Sequence, residues 1–180
     1  MKATFIIQTR LFALVILLSL AFNAKSQQSV TTYPHDSILV AAREIMTSAP
    51  YCALITVDET GQPQVRTMNP FPLGDDLVIW FATSRDSRKV AEMKKESRVC
   101  VYYADHKNPQ GYVNLIGKAT VIDDKELLKK MKREYWEGIP NWQNVFVLIK
   151  IEPVKMEVIN YKHGINGDPK TSSAPTIEFK

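Results

Sequence analysis

Glycine is scarce in this sequence, 7 in 180 residues, and cysteine scarcer, with two. So few glycines exclude a collagen-like chain or a glycine-rich low-complexity one. Cys52 and Cys100 form no Cys-x-x-Cys pair, so a redox dithiol and a zinc site are unsupported. The three histidines, His35, His106 and His163, stand far apart and match no metal-ligand spacing. No metal site is expected. The glycine-rich phosphate loops, the Gly-x-Ser-x-Gly elbow and a conspicuous carboxylate pair are all missing. A large charge excess is missing as well: Lys and Arg number 23 against 19 Asp and Glu. Residues 1–26 hold Lys2, Arg10 and Lys25 and no acid, so the other 154 residues carry 20 basic and 19 acidic side chains. That balance calls for no nucleic-acid partner.

What is present begins with an address. Leu11 to Phe22 is a 12-residue apolar run broken only by Ser19. A membrane span needs about 20 apolar residues, whereas this length suits the core of a secretory signal. Ala24 and Ser26 fit the small residues before a cleavage point, which puts the cut before Gln27. The expectation is a cleavable signal over residues 1–26, a secreted or periplasmic mature chain, and no stable span afterwards. In an oxidising compartment Cys52 and Cys100 would have the chance to pair, but pairing needs Cα atoms within about 7 Å. Both lie in strand-like runs and are read as buried thiols.

With 45% hydrophobic residues in its 180, the chain has enough for one core. Residues 27–35 read as a flexible lead-in. Asp36 is a candidate cap for a helix carrying Ile38, Leu39, Ala42, Ile45 and Met46 at helical spacing, stopped by Ala49-Pro50. Strands are predicted at Tyr51–Val57, Gln64–Asn69, Leu77–Ala82, Val99–Ala104, Tyr112–Ile122, Val145–Glu152 and Val154–Tyr161. Gly117 suggests a bulge. Helices are predicted at Ser87–Glu96, with Val90 and Met93 inward, and at Asp123–Glu137, with Asp123 and Glu126 as a capping pair and Leu127, Leu128, Met131 and Tyr135 as the buried stripe. Residues 162–180 read as a polar tail. Many strands joined by short turns, with helices as excursions, argue a mainly β (α+β) domain of about six to seven mostly antiparallel strands over residues 36–161.

One segment carries chemistry. An apolar strand runs into Thr83 and Ser84, and the next helix opens on Ser87-Arg88-Lys89. The first turn of a helix is electropositive and normally favours acids. Two cations there call either for an anion, held by free N–H groups, hydroxyls and both charges, or for pairing with Asp86 or Glu92. Arg66, on a predicted strand, likewise needs a partner, a ligand phosphate or a carboxylate.

These residues, in this order, resemble the pyridoxamine 5′-phosphate oxidase-like family of FMN-binding split barrels. The resemblance rests on Gly61-Gln62-Pro63 before Arg66, on Phe81-Ala82-Thr83 followed by Ser87-Arg88-Lys89, and on Val113 with Ile116-Gly117-Lys118-Ala119. It covers about Ile38 to Tyr161. It implies a split β-barrel with peripheral helices, a homodimer with the flavin at the subunit interface, and FMN as cofactor. By match, Arg66, Ser87, Arg88 and Lys89 would hold the phosphate. Thr67 and Met68 would run along the ring, and Thr83 would be the strand-end hydroxyl. Tyr112 stands where the oxidases have a glutamine. The positions matching their later basic residue and tryptophan are Phe71 and Glu157. Their Arg…His-Asp-Arg element has no counterpart in a tail reading His163-Gly164-Ile165-Asn166-Gly167-Asp168. The chain thus looks like the shorter general-stress-protein-like branch rather than a true pyridoxamine phosphate oxidase. Trp142 either stacks on a partner's flavin or packs on the barrel. The resemblance implies a flavin-dependent oxidoreductase of unknown substrate, with no side chain marked as catalytic. The alternatives are a non-catalytic flavin, deazaflavin or haem binder, and a ligand-free dimeric module.

Overall fold

Apolar residues three and four apart between Ile38 and Met46 wind into helix α1, His35–Ser48, which buries Ile38, Ala41, Ala42, Ile45 and Met46. The structure, a computed structural model, describes residues 32–179, so the segment read as a secretory signal, residues 1–26, lies outside the described residues. Asp36 is not the cap. Pro34 holds that position without a side-chain bond, and Asp36 sits in the first turn, where a carboxylate meets the positive end of the helix. Ala49, the residue before Pro50, is extended and ends the helix.

The strands are β1 Cys52–Val57, β2 Pro63–Met68, β3 Ile79–Ser84, β4 Arg98–Tyr103, β5 Gly111–Ile122, β6 Phe146–Asn160 and β7 Thr176–Glu178. Helix α2, Arg88–Lys95, follows β3, while α3, Lys125–Lys130, and α4, Trp142–Val145, lie between β5 and β6. All the strands belong to one antiparallel sheet in the order β2-β1-β4-β5-β6-β3, with β7 added on β6. The sheet curls into the half-closed form of a split barrel. Its ends come together where the Phe71 amide, just past β2, donates to the Trp80 carbonyl of β3 at 2.8 Å.

Two predicted strands prove to be one. Strand β6 runs unbroken through Pro153, which pairs with Gly117 where the β5–β6 register shifts. A proline lacks the ladder donor, and a bulge is where that loss is tolerated. A Cβ on Gly117 would stand 2.6 Å from the Glu152 carbonyl oxygen, so only glycine fits the bulge predicted there. The third strand starts later than predicted. Leu77 is buried in the preceding turn at φ 58°, and the Asp76 carboxylate accepts from the Val78 amide at 3.1 Å.

The late helix is also split. Asp124, not Asp123, caps α3, accepting from the Glu126 and Leu127 amides, while Asp123 pairs with Arg85. The chain then leaves the helix and forms a 3₁₀ turn at Glu134–Gly138. Arg133 donates to the Asn69 and Pro70 carbonyls and lies 4.2 Å over the Phe71 ring. Those contacts, with full burial of Trp136, outweigh helix continuation. Of the predicted stripe, Leu128 is buried and Tyr135 is exposed.

Two apolar cores result. The larger joins α1 to the inner sheet face and includes Val101, Leu115, Met156 and Met93. The smaller gathers Leu128, Trp136, Trp142 and Leu148. Residues 162–179, read from sequence as a polar tail, supply Ile165 and Ile177 to the larger core and add β7 to the sheet. Tyr33, in the segment read as loose, donates its hydroxyl to the Gly164 carbonyl at 3.1 Å.

Gly111 opens β5 at φ 141°, and a Cβ there would lie 2.0 Å from the Ile159 carbonyl oxygen. Gly111→Ala is expected to cost at least about 2 kcal/mol, from backbone strain together with the steric clash. Urea denaturation measures this, and an unchanged midpoint would contradict the geometry.

Candidate anion site at the sheet edge

The register explains why an arginine of β2 points inward. Arg66, Leu54, Val101, Leu115 and Met156 pair in one row across the sheet. The four apolar members are fully buried, and Arg66 ends the row on the edge strand. Val65 and Thr67 face the other side, as alternation requires. Thr56 is also an inner-face position, directly across from Gln64.

Helix α2 covers this edge. Val90 and Met93 are buried beneath it, as predicted, and Glu92 is buried with them. The Glu92 side chain, 4% exposed, receives Arg66 Nη2 on Oε2 at 2.9 Å, and Arg88 Nε lies 2.9 Å from Oε1. The latter contact is an ion pair without hydrogen-bond direction, so Oε1 has no hydrogen-bond partner. Thr56 Oγ1 donates to Glu92 Oε2 and accepts from Arg66 Nη1, each at 2.5 Å. Arg88 Nη2 donates to Gln64 Oε1 at 2.9 Å. Burial pushes the Glu92 carboxyl up, but the Thr56 hydroxyl and the two arginines outweigh it, and its pKa lies below the ordinary 4.5.

Lys89 has no carboxylate. Its Nζ donates to Thr83 Oγ1 at 2.9 Å, and that oxygen lies 3.4 Å from Ser87 Oγ. Burial, and then the Arg66 charge, pull the Lys89 ammonium below the usual lysine range. Ser87 occupies the cap position of α2 without making a cap bond, and no acid lies in the first turn. Three cations thus share one carboxylate, Glu92, which leaves a net excess of two positive charges beside an open helix start. A cavity of about 300 Å³ lies there, lined by Arg66, Thr67, Met68, Arg88 and Lys89.

The structure therefore brings together seven of the nine singled-out residues: Arg66, Thr67, Met68, Arg88 and Lys89 on the cavity wall, and Thr83 and Ser87 behind Lys89. Tyr112 lies on the outer sheet face, its ring 5.6 Å from that of Tyr102. Trp142 packs in the smaller core, 5.4 Å from Trp136. Of the two alternatives weighed for the cations, pairing with a carboxylate is met for Arg66 and Arg88, both on Glu92. Thr56 was missed. Its signal was a polar side chain at an inward position between Leu54 and the turn. Among the described residues no cluster has the makings of a metal site.

The pyridoxamine 5′-phosphate oxidase family model matches residues 38–162. The chain therefore belongs to that family. No curated protein matches the sequence. Among solved structures, general stress protein 26 from Bacillus anthracis is 23% identical, with a TM-score of 0.57 over 70% of this chain and 95% of that one. A Clostridium acetobutylicum protein related to general stress protein 26 aligns at a TM-score of 0.64, 16% identity, and 81% and 97% coverage. A pyridoxamine 5′-phosphate oxidase-related, FMN-binding protein from Nostoc punctiforme aligns at 0.54, 16%, and 83% and 98%. At these identities the likeness is one of fold, and it agrees with the split barrel described above.

Glu92→Gln is expected to destabilise the protein at pH 7 by about 1.5–3 kcal/mol, the range for hydrogen bonds to charged groups. Because the carboxyl titrates lower in the folded state, its contribution is present above the ordinary pKa of 4.5 and fades as pH falls below it. Denaturation midpoints of the two proteins should converge below pH 4.5. A gap that stays constant down to pH 3 would contradict this account.

Proposed function

We propose that this chain is an exported FMN-binding split-barrel protein and a flavin-dependent oxidoreductase. The observation that carries the cofactor is the net excess of two positive charges, three cations sharing the single carboxylate of Glu92, at the cavity beside α2. A phosphate dianion matches that excess, and the chemistry of the lining fits it: two guanidiniums, an ammonium, the Ser87 and Thr83 hydroxyls and an uncapped helix start. Arg66, Arg88 and Lys89 would hold the phosphate, with the ring along the Thr67–Met68 backbone. A bound flavin supplies two-electron and one-electron chemistry; the protein's own part is to fix the phosphate and bound the ring. Glu92 keeps both arginines extended toward the cavity. The Nostoc punctiforme FMN-binding relative supports FMN. An F420 reductase, 21% identical at a TM-score of 0.52, favours a deazaflavin as the second reading. Export is supported by the Leu11–Phe22 run with Ala24 and Ser26.

Oxidation of pyridoxamine phosphate itself is not proposed. Phe71, Glu157 and the His163–Asp168 segment replace the oxidases' basic residue, tryptophan and Arg…His-Asp-Arg element. In this chain Phe71 packs in the smaller core, and His163 is 2.6 Å from Glu44.

The decisive experiment titrates the full chain with FMN and follows flavin absorbance and fluorescence. Lys89→Ala is expected to weaken FMN by about 1.5–3 kcal/mol, the worth of one charge-assisted contact, with little change in unliganded stability because Lys89 holds no carboxylate. Arg88→Ala should weaken FMN comparably and also loosen the fold, since it leaves Glu92 Oε1 without its ion pair. Unchanged titrations in both variants would remove the site assignment. A deazaflavin retained in preference to FMN would decide for the second reading.

The subunit reading has its own surface. Val65, 67% exposed, pairs across the outer sheet face with half-buried Ile55, Cys100 and Ile116, a row that no helix among the described residues covers. We propose the homodimer through this face, with the flavin at its margin. Light scattering should give twice the chain mass, and Val65→Glu should shift it towards the monomer. A monomeric wild-type protein would overturn the proposal.

A further inference from the structure

Thr67 borders two cavities. One is the cationic cavity of Arg66, Arg88 and Lys89. The other, about 340 Å³, lies over the neighbouring strands and the end of α1, with Ala53 as its floor and Tyr51, Tyr102, Asp105 and His106 among its walls. Ala53 pairs with Thr67 on one side and Tyr102 on the other, so the second cavity follows one row of the outer sheet face. We propose that this second cavity is the subsite for the flavin's reaction partner and takes a planar aromatic molecule free of phosphate and carboxylate groups. The proposal rests on the flavin reading above.

The two cavities have opposite chemistry. The first is walled by three cations. The second has no lysine or arginine, and its one carboxylate is Asp105. The Lys107 and Asn108 amides donate to Asp105 and hold its carboxyl below the usual range, so it stays ionised and repels an anion. What the cavity offers instead is flat surface. The Tyr102 and His106 rings lie 28° from parallel with centroids 6.3 Å apart, and Tyr51 stands 57% exposed at the rim. Small Ala53 in a row of larger side chains leaves room for a ring against the sheet. A flat ligand gains most from such a surface, because aromatic contacts add to the area buried. The shared Thr67 places that ligand next to the backbone along which the flavin ring is proposed to lie.

The test uses the full chain saturated with FMN and two probes that differ by one group, 1-naphthol and 1-naphthyl phosphate, measured by calorimetry. The proposal expects 1-naphthol to bind at least about tenfold tighter than its phosphate ester. It also expects Tyr102→Ala and His106→Ala each to weaken 1-naphthol by about three- to tenfold, the range for an aromatic contact, with FMN affinity unchanged. His106 lies in an exposed loop, so its variant stays informative where Tyr102→Ala disturbs the strand. Equal binding of the phosphate ester, or 1-naphthol binding indifferent to both substitutions, would overturn the subsite. FMN binding without any 1-naphthol binding would overturn the subsite alone. Failure of FMN to bind would overturn the cofactor reading, and the subsite with it.

Discussion

The curl of the sheet is the constraint on which everything else rests. Strands β2 and β3 sit at opposite ends of a six-strand path, yet Arg66 of one and Thr83 of the other serve a single cluster. They meet because the long antiparallel β5–β6 pair bends at the Gly117–Pro153 bulge, and because the chain after β2 folds back to bond β3 at Phe71 and Trp80. Helix α2 then fastens both ends: Lys89 reaches Thr83, while Glu92 and Arg88 reach Arg66 and Gln64. A flat sheet of the same strands would keep these groups far apart.

The electrostatics of the edge follow from that closure. Arg66 lies at the end of an otherwise apolar row and must be neutralised where water is scarce. Glu92 does this and recruits Arg88. Lys89 is left over, its ammonium form disfavoured by burial and by its cationic neighbours. The protein thus carries a local repulsion that Glu92 only partly offsets.

Much of this was legible in the sequence. The strand alternation around Arg66, the hydroxyl residues at the end of β3 and the misplaced cations of α2 identify the cluster without coordinates. The inward faces of α1 and α2 follow from spacing alone. What was not legible depends on distant partners. Pro153 reads as a strand break until Gly117 is known to lie opposite. The late helix reads as continuous until the Asn69 and Pro70 carbonyls draw Arg133 away. The tail reads as polar because two isoleucines among eighteen residues form no pattern, though both are needed to finish the core. Thr56 looks like ordinary strand composition until Arg66 and Glu92 are placed around it.

The two cysteines carry a consequence for where such a fold can survive. Cys52 lies in the inner core, while Cys100 pairs with Ile55 on the outer face and donates its thiol to Asn114. One thiol is beneath the sheet and the other above it, so no rotamer joins them. Burial raises them to about 12 and about 11, far from the thiolate form that oxidants attack. The architecture is therefore indifferent to redox potential. It asks nothing of an oxidising compartment and loses nothing in a reducing one, and its integrity rests on packing rather than on a covalent staple.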